Sequence, residues 1–360
     1  PDFDTPDHIK LAAIEAIKNG QTKYTAVDGT PKLKKAVSDK FQRDNNIKYN
    51  IDEIIISVGG KQVLFNALLS SINPGDEVII PSPYWVSYPD MVALAGGKPI
   101  IVEGKSKNNF KIMPEDIKDK ISIKTKWIII NSPSNPTGSS YSKKELKNIG
   151  DLLINYKNIF IMSDDIYEKI IYDDNKFYTI AEVVPELKDR ILTVNGVSKA
   201  YAMTGWRIGY AGGPKTLISA MAKLQSQSTS NPSSISQAAA LAALEGPEDF
   251  LSERNAQFKI RRNMVVEKLN KCKGIHCLLP TGAFYVYPSC KGLIGKQTPA
   301  GQIINNSIDF SSYLLEEVGV AVVPGSAFGA DFFFRISYAT SDSILEEACN
   351  RIQKACDQLI

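Results

Sequence analysis

Between residues 50 and 215 the chain sets short, unbroken aliphatic runs against longer stretches whose apolar and charged positions recur at helical spacing. The runs are "EIIISV", "DEVIIPS", "KPIIVE", "KWIIINS", "IFIMSDD" and "RILTVNG". They lack strict apolar–polar alternation, as expected of strands covered on both faces in a mainly parallel sheet. Helices are predicted between them, for example over Gln62–Ile72 and Ser142–Asn155. Ser142 followed three residues later by Glu145 is a capping-box pattern. The alternation of strand and helix predicts a layered α/β fold.

The pattern changes near Gly246-Pro247. Residues 247–273 read as one long charged helix, and "GAFYVYPS", "GVAVVPG" and "FFFRISYA" read as strands. Further helices are expected near Asp309–Val318 and Asp342–Leu359. This predicts a smaller α+β domain made of residues 1–19 with 247–360, beside a large domain over 20–246. Repeats, low-complexity tracts and long linkers are absent.

Composition narrows the chemistry. The chain has 360 residues, 43% of them hydrophobic and 22% charged, enough to bury two cores. A net charge of +3 with scattered lysines forms no basic face, which argues against nucleic acid. No apolar run approaches the roughly 20 residues needed to span a bilayer, and no signal peptide is recognisable. The five cysteines (272, 277, 290, 349 and 356) form no CxxC pair and read as thiols in a reducing cytoplasm. Only His8 and His276 are present, so a histidine metal site or a Ser-His-Asp triad is not expected. Chemistry must come from Lys, Asp, Tyr and Arg, or from a cofactor. The chain opens on Pro1 without a Met, and a natural N-terminal piece is expected before it.

In an open parallel sheet, ligands sit outside the carboxyl ends of the strands. The residues that follow the predicted strands are "GGKQ", "SPYW", "SPSNPTG", "SDDIY" and "GVSK", each mixing glycine, hydroxyl, amide, carboxylate or lysine. In "NGVSKAYAMTGWRIGY", Lys199 and Arg207 stand eight residues apart in a run short of other charge. A lysine nucleophile must be partly unprotonated, which burial and a neighbouring cation favour. Arginine offers phosphate a planar fork. Gly205 and Gly209 are expected to let backbone pass close by. Gly59-Gly60-Lys61 at a helix start can bind an anion through backbone amides, and the third glycine of a dinucleotide fingerprint is absent. Arg335 sits among aromatic and apolar residues in "FFFRISYAT", where an unpaired buried charge is costly, so it needs an anion or an internal salt bridge.

Together these segments resemble the class I aminotransferases, pyridoxal-phosphate enzymes of fold type I. The resemblance runs from "PDFDTP" at residues 1–6 to "RISYATS" at 335–341, and "GVSKAYAMTGWRIG" is its most specific piece. It implies a large domain with a mainly parallel seven-stranded sheet, plus a smaller α+β domain. It also implies that Lys199 is the Schiff-base lysine and that Arg207 grips the cofactor phosphate, with Gly60 and Lys61 contributing amides. Asp164 is implied to pair with the pyridinium nitrogen, keeping the ring able to absorb carbanion electrons. Its neighbour Asp165 is read as a bystander. Tyr167 and Asn135 are implied at the cofactor's phenolic oxygen, and Trp85 on its ring face. Ser198 adds a hydroxyl to the phosphate cup or caps a helix. Tyr24 is implied to reach the phosphate of a second subunit, which makes the enzyme a homodimer with shared active sites. Arg335 is implied to bind the substrate α-carboxylate, with Trp85 and Asn135 also lining the substrate.

One departure bears on specificity. Where the aspartate branch places a second arginine, near Ser226 in "QSQSTSNPSS", this chain has none. "GGKQ" and "SPYWVSYPDM" instead resemble the bacterial subgroup in which the lysine, here Lys61, recognises the distal carboxylate. The expected activity is amino transfer between L-aspartate and 2-oxoglutarate. The alternative is a prephenate or aromatic aminotransferase, or an enzyme serving both aspartate and prephenate. A β-lyase on the same fold would keep Lys199, Asp164 and Arg207. A non-catalytic regulator would need a DNA-binding module or a lost lysine, and neither is seen.

Overall fold

Isoleucine and valine fill the larger sheet because its strands are covered on both sides. In the computed structural model, which describes residues 2–360, the sheet comprises β1 (Ile54–Ser57), β2 (Glu77–Ser82), β3 (Lys98–Glu103), β4 (Thr125–Asn131), β5 (Phe160–Asp164), β6 (Ile191–Gly196) and β7 (Gly209–Gly212). The order is β1-β7-β6-β5-β4-β2-β3. Strands β2 to β6 pair in parallel, and β7 runs antiparallel to both its neighbours. A second, three-stranded antiparallel sheet has the order β8-β10-β9, from Tyr285–Val286, Phe334–Ser337 and Val323–Pro324 respectively.

The helices that precede Gly246 are α1 (Asp7–Lys18), α2 (Pro31–Asn45), α3 (Gly60–Ser71), α4 (Ser87–Leu94), α5 (Pro114–Lys118), α6 (Lys143–Ile154), α7 (Ile180–Val183), α8 (Lys215–Ser226) and α9 (Ser234–Glu245). Those that follow are α10 (Asp249–Asn270), α11 (Ser307–Val318) and α12 (Asp342–Asp357). No helix among the described residues is long and apolar enough to cross a membrane.

Successive residues of one strand enter opposite layers. Ile54, Ile56, Ile128 and Ile130 pack with α2, α6 and α9, whereas Ile55, Trp127 and Ile129 pack with α3, α4 and α8. Each buried aliphatic side chain contributes roughly 1.5–3 kcal/mol, so neither face leaves room for polar alternation. The predicted α6 cap is present: Ser142 Oγ accepts from the Glu145 amide (3.3 Å), and the Glu145 carboxylate accepts from the Ser142 amide (2.7 Å). The predicted charged helix is α10.

Three features differ from expectation. Strand β7 carries no aliphatic run, because two of its four residues are glycines that let neighbouring backbone close in. The strands of the smaller sheet are shorter than their apolar runs. Pro324 lies in β9 without an N–H to donate, and the flanking aromatic rings pack with one another. Helix α1, expected with the residues after 247, packs mainly with the helices before Gly246: Ile9 and Ala13 enter the same core as α2 and α9. Only the segment before it, Asp2–Asp4, lies along α10, where Arg261 and Arg254 hold it.

Candidate active site

The carboxyl ends of β4, β5 and β6, the start of α3 and the loop before α4 enclose a cavity of about 200 Å³. Its lining includes Gly60, Lys61, Trp85, Asn135, Asp164, Tyr167, Ser198, Lys199 and Arg207, nine of the ten residues expected there from this chain. Register explains part of the convergence, since Asn131 and Asp164 are paired across β4 and β5 at the sheet's end. Asn131 Nδ2 donates to the Asp164 carbonyl (2.9 Å), and Asn131 Oδ1 accepts from the Asn135 amide (2.8 Å). One asparagine thus joins two strand-end loops.

Lys199 follows β6 and lies with its Nζ 5.7 Å from the ring centres of both Tyr167 and Phe284. Burial holds its ammonium below the usual lysine range; the charges of Arg335 and Arg207 push the same way, and Asp164 opposes them. Asp164 is buried, and burial raises its carboxyl above the ordinary range. The phenol of Tyr88 donates to Asp164 Oδ2 at 2.6 Å and favours the charged form against that effect. Asp165 points elsewhere, accepting from Ser163 Oγ (2.8 Å), and burial lifts it to about 8. The two adjacent carboxylates therefore have separate surroundings, and only Asp164 lines the cavity.

Glycines and one arginine pack closely at the start of α3. Gly59 has φ +82°, and a Cβ there would fall 2.3 Å from an Arg207 guanidinium nitrogen. A Cβ on Gly209 would fall 2.2 Å from the Gly60 amide nitrogen. Close backbone approach requires Gly209, and the positive φ favours glycine at 59. Neither constraint applies to Gly205, because its Cβ would meet open space and its φ is not positive. Arg207 itself has φ +56° and donates to the Thr204 carbonyl (3.0 Å). Ser198 is buried at the cavity wall and caps no helix.

Arg335 on β10 donates to Asn135 Oδ1 (2.8 Å) and lies over the rings of Tyr285 (4.7 Å) and Phe328 (5.0 Å). Its Nε is buried without a partner, and no carboxylate pairs with it among the described residues. The internal salt bridge weighed from the sequence is not found. Tyr167 shares a 2.7 Å hydrogen bond with Tyr285, and burial raises both phenols. Lys61 is exposed, its ammonium 4.8 Å from the Trp85 ring centre. Tyr24 stands apart at 91% exposure and joins no part of this cavity within its own chain.

Sequence reasoning missed Tyr88, Asn131 and Tyr285. Tyr88 carried a usable signal, falling one helical turn after Trp85 in "SPYWVSY", and its ring meets Trp85 edge-on at 5.4 Å. Tyr285 carried none, since its contact depends on how the second sheet docks.

The family model described as aminotransferase class I and II matches residues 1–352. A probable aspartate/prephenate aminotransferase of Rickettsia felis is 58% identical, over 100% of this chain and 88% of its own length. An aspartate aminotransferase of Rhizobium meliloti is 55% identical over the same shares, 100% and 88%. The crystal structure of an aspartate aminotransferase from Rhizobium meliloti superposes with a TM-score of 0.98, at 54% identity, covering 100% of this chain and 90% of that one.

Proposed function

The chain belongs to the class I and II aminotransferases, and on that premise we propose that it uses pyridoxal phosphate to move an amino group reversibly between L-aspartate and 2-oxoglutarate, giving oxaloacetate and L-glutamate. The observation that carries the substrate reading is Arg335. It is a guanidinium with a buried, unpartnered Nε and no carboxylate partner among the described residues, hydrogen-bonded to a cavity residue near a lysine of lowered pKa. A substrate α-carboxylate is the anion it lacks.

The donor set suits the cofactor. Arg207, the Gly60 and Lys61 amides at the start of α3 and the Ser198 hydroxyl offer cations and donors to a phosphate. Asp164 offers a carboxylate to a ring nitrogen, Trp85 a flat face, and Asn135 and Tyr167 hydrogen bonds to a phenolic oxygen. When bound, pyridoxal phosphate supplies an aldehyde that links to amines and a ring that takes up the electrons left at Cα.

The residues divide the remaining work. Arg335 and Asn135 fix the α-carboxylate, and the Lys61 ammonium attracts the distal carboxylate. Lys199 Nζ takes the proton from the substrate Cα and later returns one, and the downward shift of its pKa favours the free amine that the first transfer needs. The Tyr88 phenol, by donating to Asp164, favours the charged carboxylate that a ring nitrogen would pair with. Lys61 is a flexible point charge and not a fixed fork, so its selectivity is loose. This supports a second reading, activity on prephenate as well, in line with the name of the Rickettsia relative.

We further propose a cytoplasmic homodimer in which Tyr24 reaches the partner's phosphate site. The 91% exposure of Tyr24 and the exposed Leu11, Ile14 and Ile17 on α1 support association, and five unpaired thiols support a reducing compartment. The test is a kcat/KM panel over aspartate, phenylalanine and prephenate, with 2-oxoglutarate as acceptor. Aspartate is expected to lead, and Lys61→Ala to reduce that lead about tenfold, the range of one exposed-to-desolvated charge pair. Lys199→Ala should abolish turnover and the yellow colour of the protein. Full turnover in Lys199→Ala overturns the enzyme reading; an unchanged aspartate preference in Lys61→Ala overturns the specificity reading alone.

A further inference from the structure

The segment Asp2–Thr5 has no part in the chemistry described so far, yet side chains of α10 hold it firmly. Arg261 makes a bidentate pair with the Asp2 carboxylate (2.9 and 2.6 Å). The Phe3 ring packs edge-on against Phe258 at 5.1 Å, with the guanidinium groups of Arg254 and Arg261 over it at 5.2 and 5.1 Å. Arg254 also donates to the Asp4 carbonyl (2.5 Å). These contacts fasten residues 2–4 to α10 and bring Thr5 to the turn that follows Lys199.

There the Thr5 hydroxyl uses both of its capacities. It donates to the Ala202 carbonyl (2.8 Å) and accepts from the Trp206 indole N–H (3.0 Å), and Thr5 is itself buried. The turn between those contacts needs support. Ala202 sits at φ +52°, a left-handed conformation that alanine adopts only where its surroundings over-determine it. Within the turn, the Ala202 amide reaches the Lys199 carbonyl only at 3.3 Å, and the Met203 amide reaches Ser198 at 3.2 Å. Phe3, Lys199 and Ala202 also line one narrow cavity of about 20 Å³, so the segment passes directly behind the lysine.

We propose that Asp2–Thr5 is a strap that aims Lys199, with Thr5 as a positioning residue acting through the Ala202–Trp206 turn. The proposal rests on the reading of Lys199 as the reacting amine. Without the Thr5 bridge, Ala202 relaxes toward ordinary backbone angles and the lysine leaves its line of approach.

The experiment uses the cofactor-loaded, full chain. Thr5→Val keeps the shape and removes the hydroxyl. It is expected to lower kcat about tenfold with KM for aspartate changed less than about twofold, the signature of a misplaced reacting group. It should also shift the pH midpoint of the cofactor's visible absorption, which a purely structural role would leave in place. Thr5→Ser keeps the hydroxyl and should retain the midpoint and most of kcat. Glycine holds φ +52° without help, so adding Thr5→Val to an Ala202→Gly enzyme should cost less than about threefold. If Thr5→Val does not fold, Trp206→Phe removes one arm of the bridge and is read in the same way. Thr5→Val with wild-type kcat and midpoint, or Thr5→Ser as damaged as Thr5→Val, overturns the strap. Persistence of the band and turnover in Lys199→Ala overturns instead the reading on which it rests.

Discussion

Asp164 and Asp165 are neighbours in sequence, and their opposite surroundings make the residue scale informative. Asp164 meets a phenol and a lysine, whereas Asp165 meets hydroxyls in an apolar wall and leaves Oδ2 without a partner. Burial raises Asp165 from 3.8 to about 8, so the folded state holds a proton that the unfolded chain releases. The stability this group contributes is fully present below about pH 4 and is lost as pH rises through about 8, at about 1.4 kcal/mol per pH unit. Asp165→Asn should therefore flatten the decline between pH 5 and pH 8 in urea unfolding; parallel wild-type and variant curves would contradict the assignment. Choosing Asp164 over Asp165 was possible from the motif. Their protonation behaviour was not, because it depends on which side of β5 each carboxylate faces.

At the scale of elements, the proposed anion cradle is a contact between a strand and the start of a helix. Strand β7 runs against the first turn of α3 so closely that Gly209 has no space for a methyl group. The three obstructing atoms, the Gly60 nitrogen at 2.2 Å, the Gly59 carbonyl carbon at 2.4 Å and the Gly60 Cα at 2.7 Å, are backbone and cannot rotate away. Gly209→Ala should destabilise the fold by about 2 kcal/mol through overpacking and weaken cofactor retention in parallel. Urea unfolding and a cofactor titration check this; wild-type affinity would show that the cradle tolerates the displacement. The helix start was legible in "GGKQ" after an aliphatic run. Strand β7 was not, because glycines chosen for close approach erase the apolar pattern that marks a strand.

Across the whole molecule, a partly buried polar network ties α2, the loop after β5 and the approach to α10. Lys40 on α2 pairs with Glu168 after β5, and Asn45 donates to the same carboxylate (2.9 Å). Lys169 bridges Asp44 and Glu248 at 2.8 Å each, and Tyr201 donates to Glu248 (2.6 Å) just before α10. Lys40→Met strands the Glu168 charge in the interior and should cost about 3–5 kcal/mol, most of it recovered by adding Glu168→Gln. Urea unfolding of the single and double variants decides this, and equal losses in both would contradict a paired role. The sequence alone determined the α/β layering and the strand-end motifs, because aliphatic runs and post-strand loops are local signals, and the family resemblance those motifs carry pointed to nine of the cavity's lining residues. Only the tertiary structure decided the placement of α1, the Tyr88 and Tyr285 contacts, the unpartnered state of Arg335 and the strap behind Lys199. Each of those depends on segments some 70 to 260 residues apart meeting in space, and no local pattern records such a meeting.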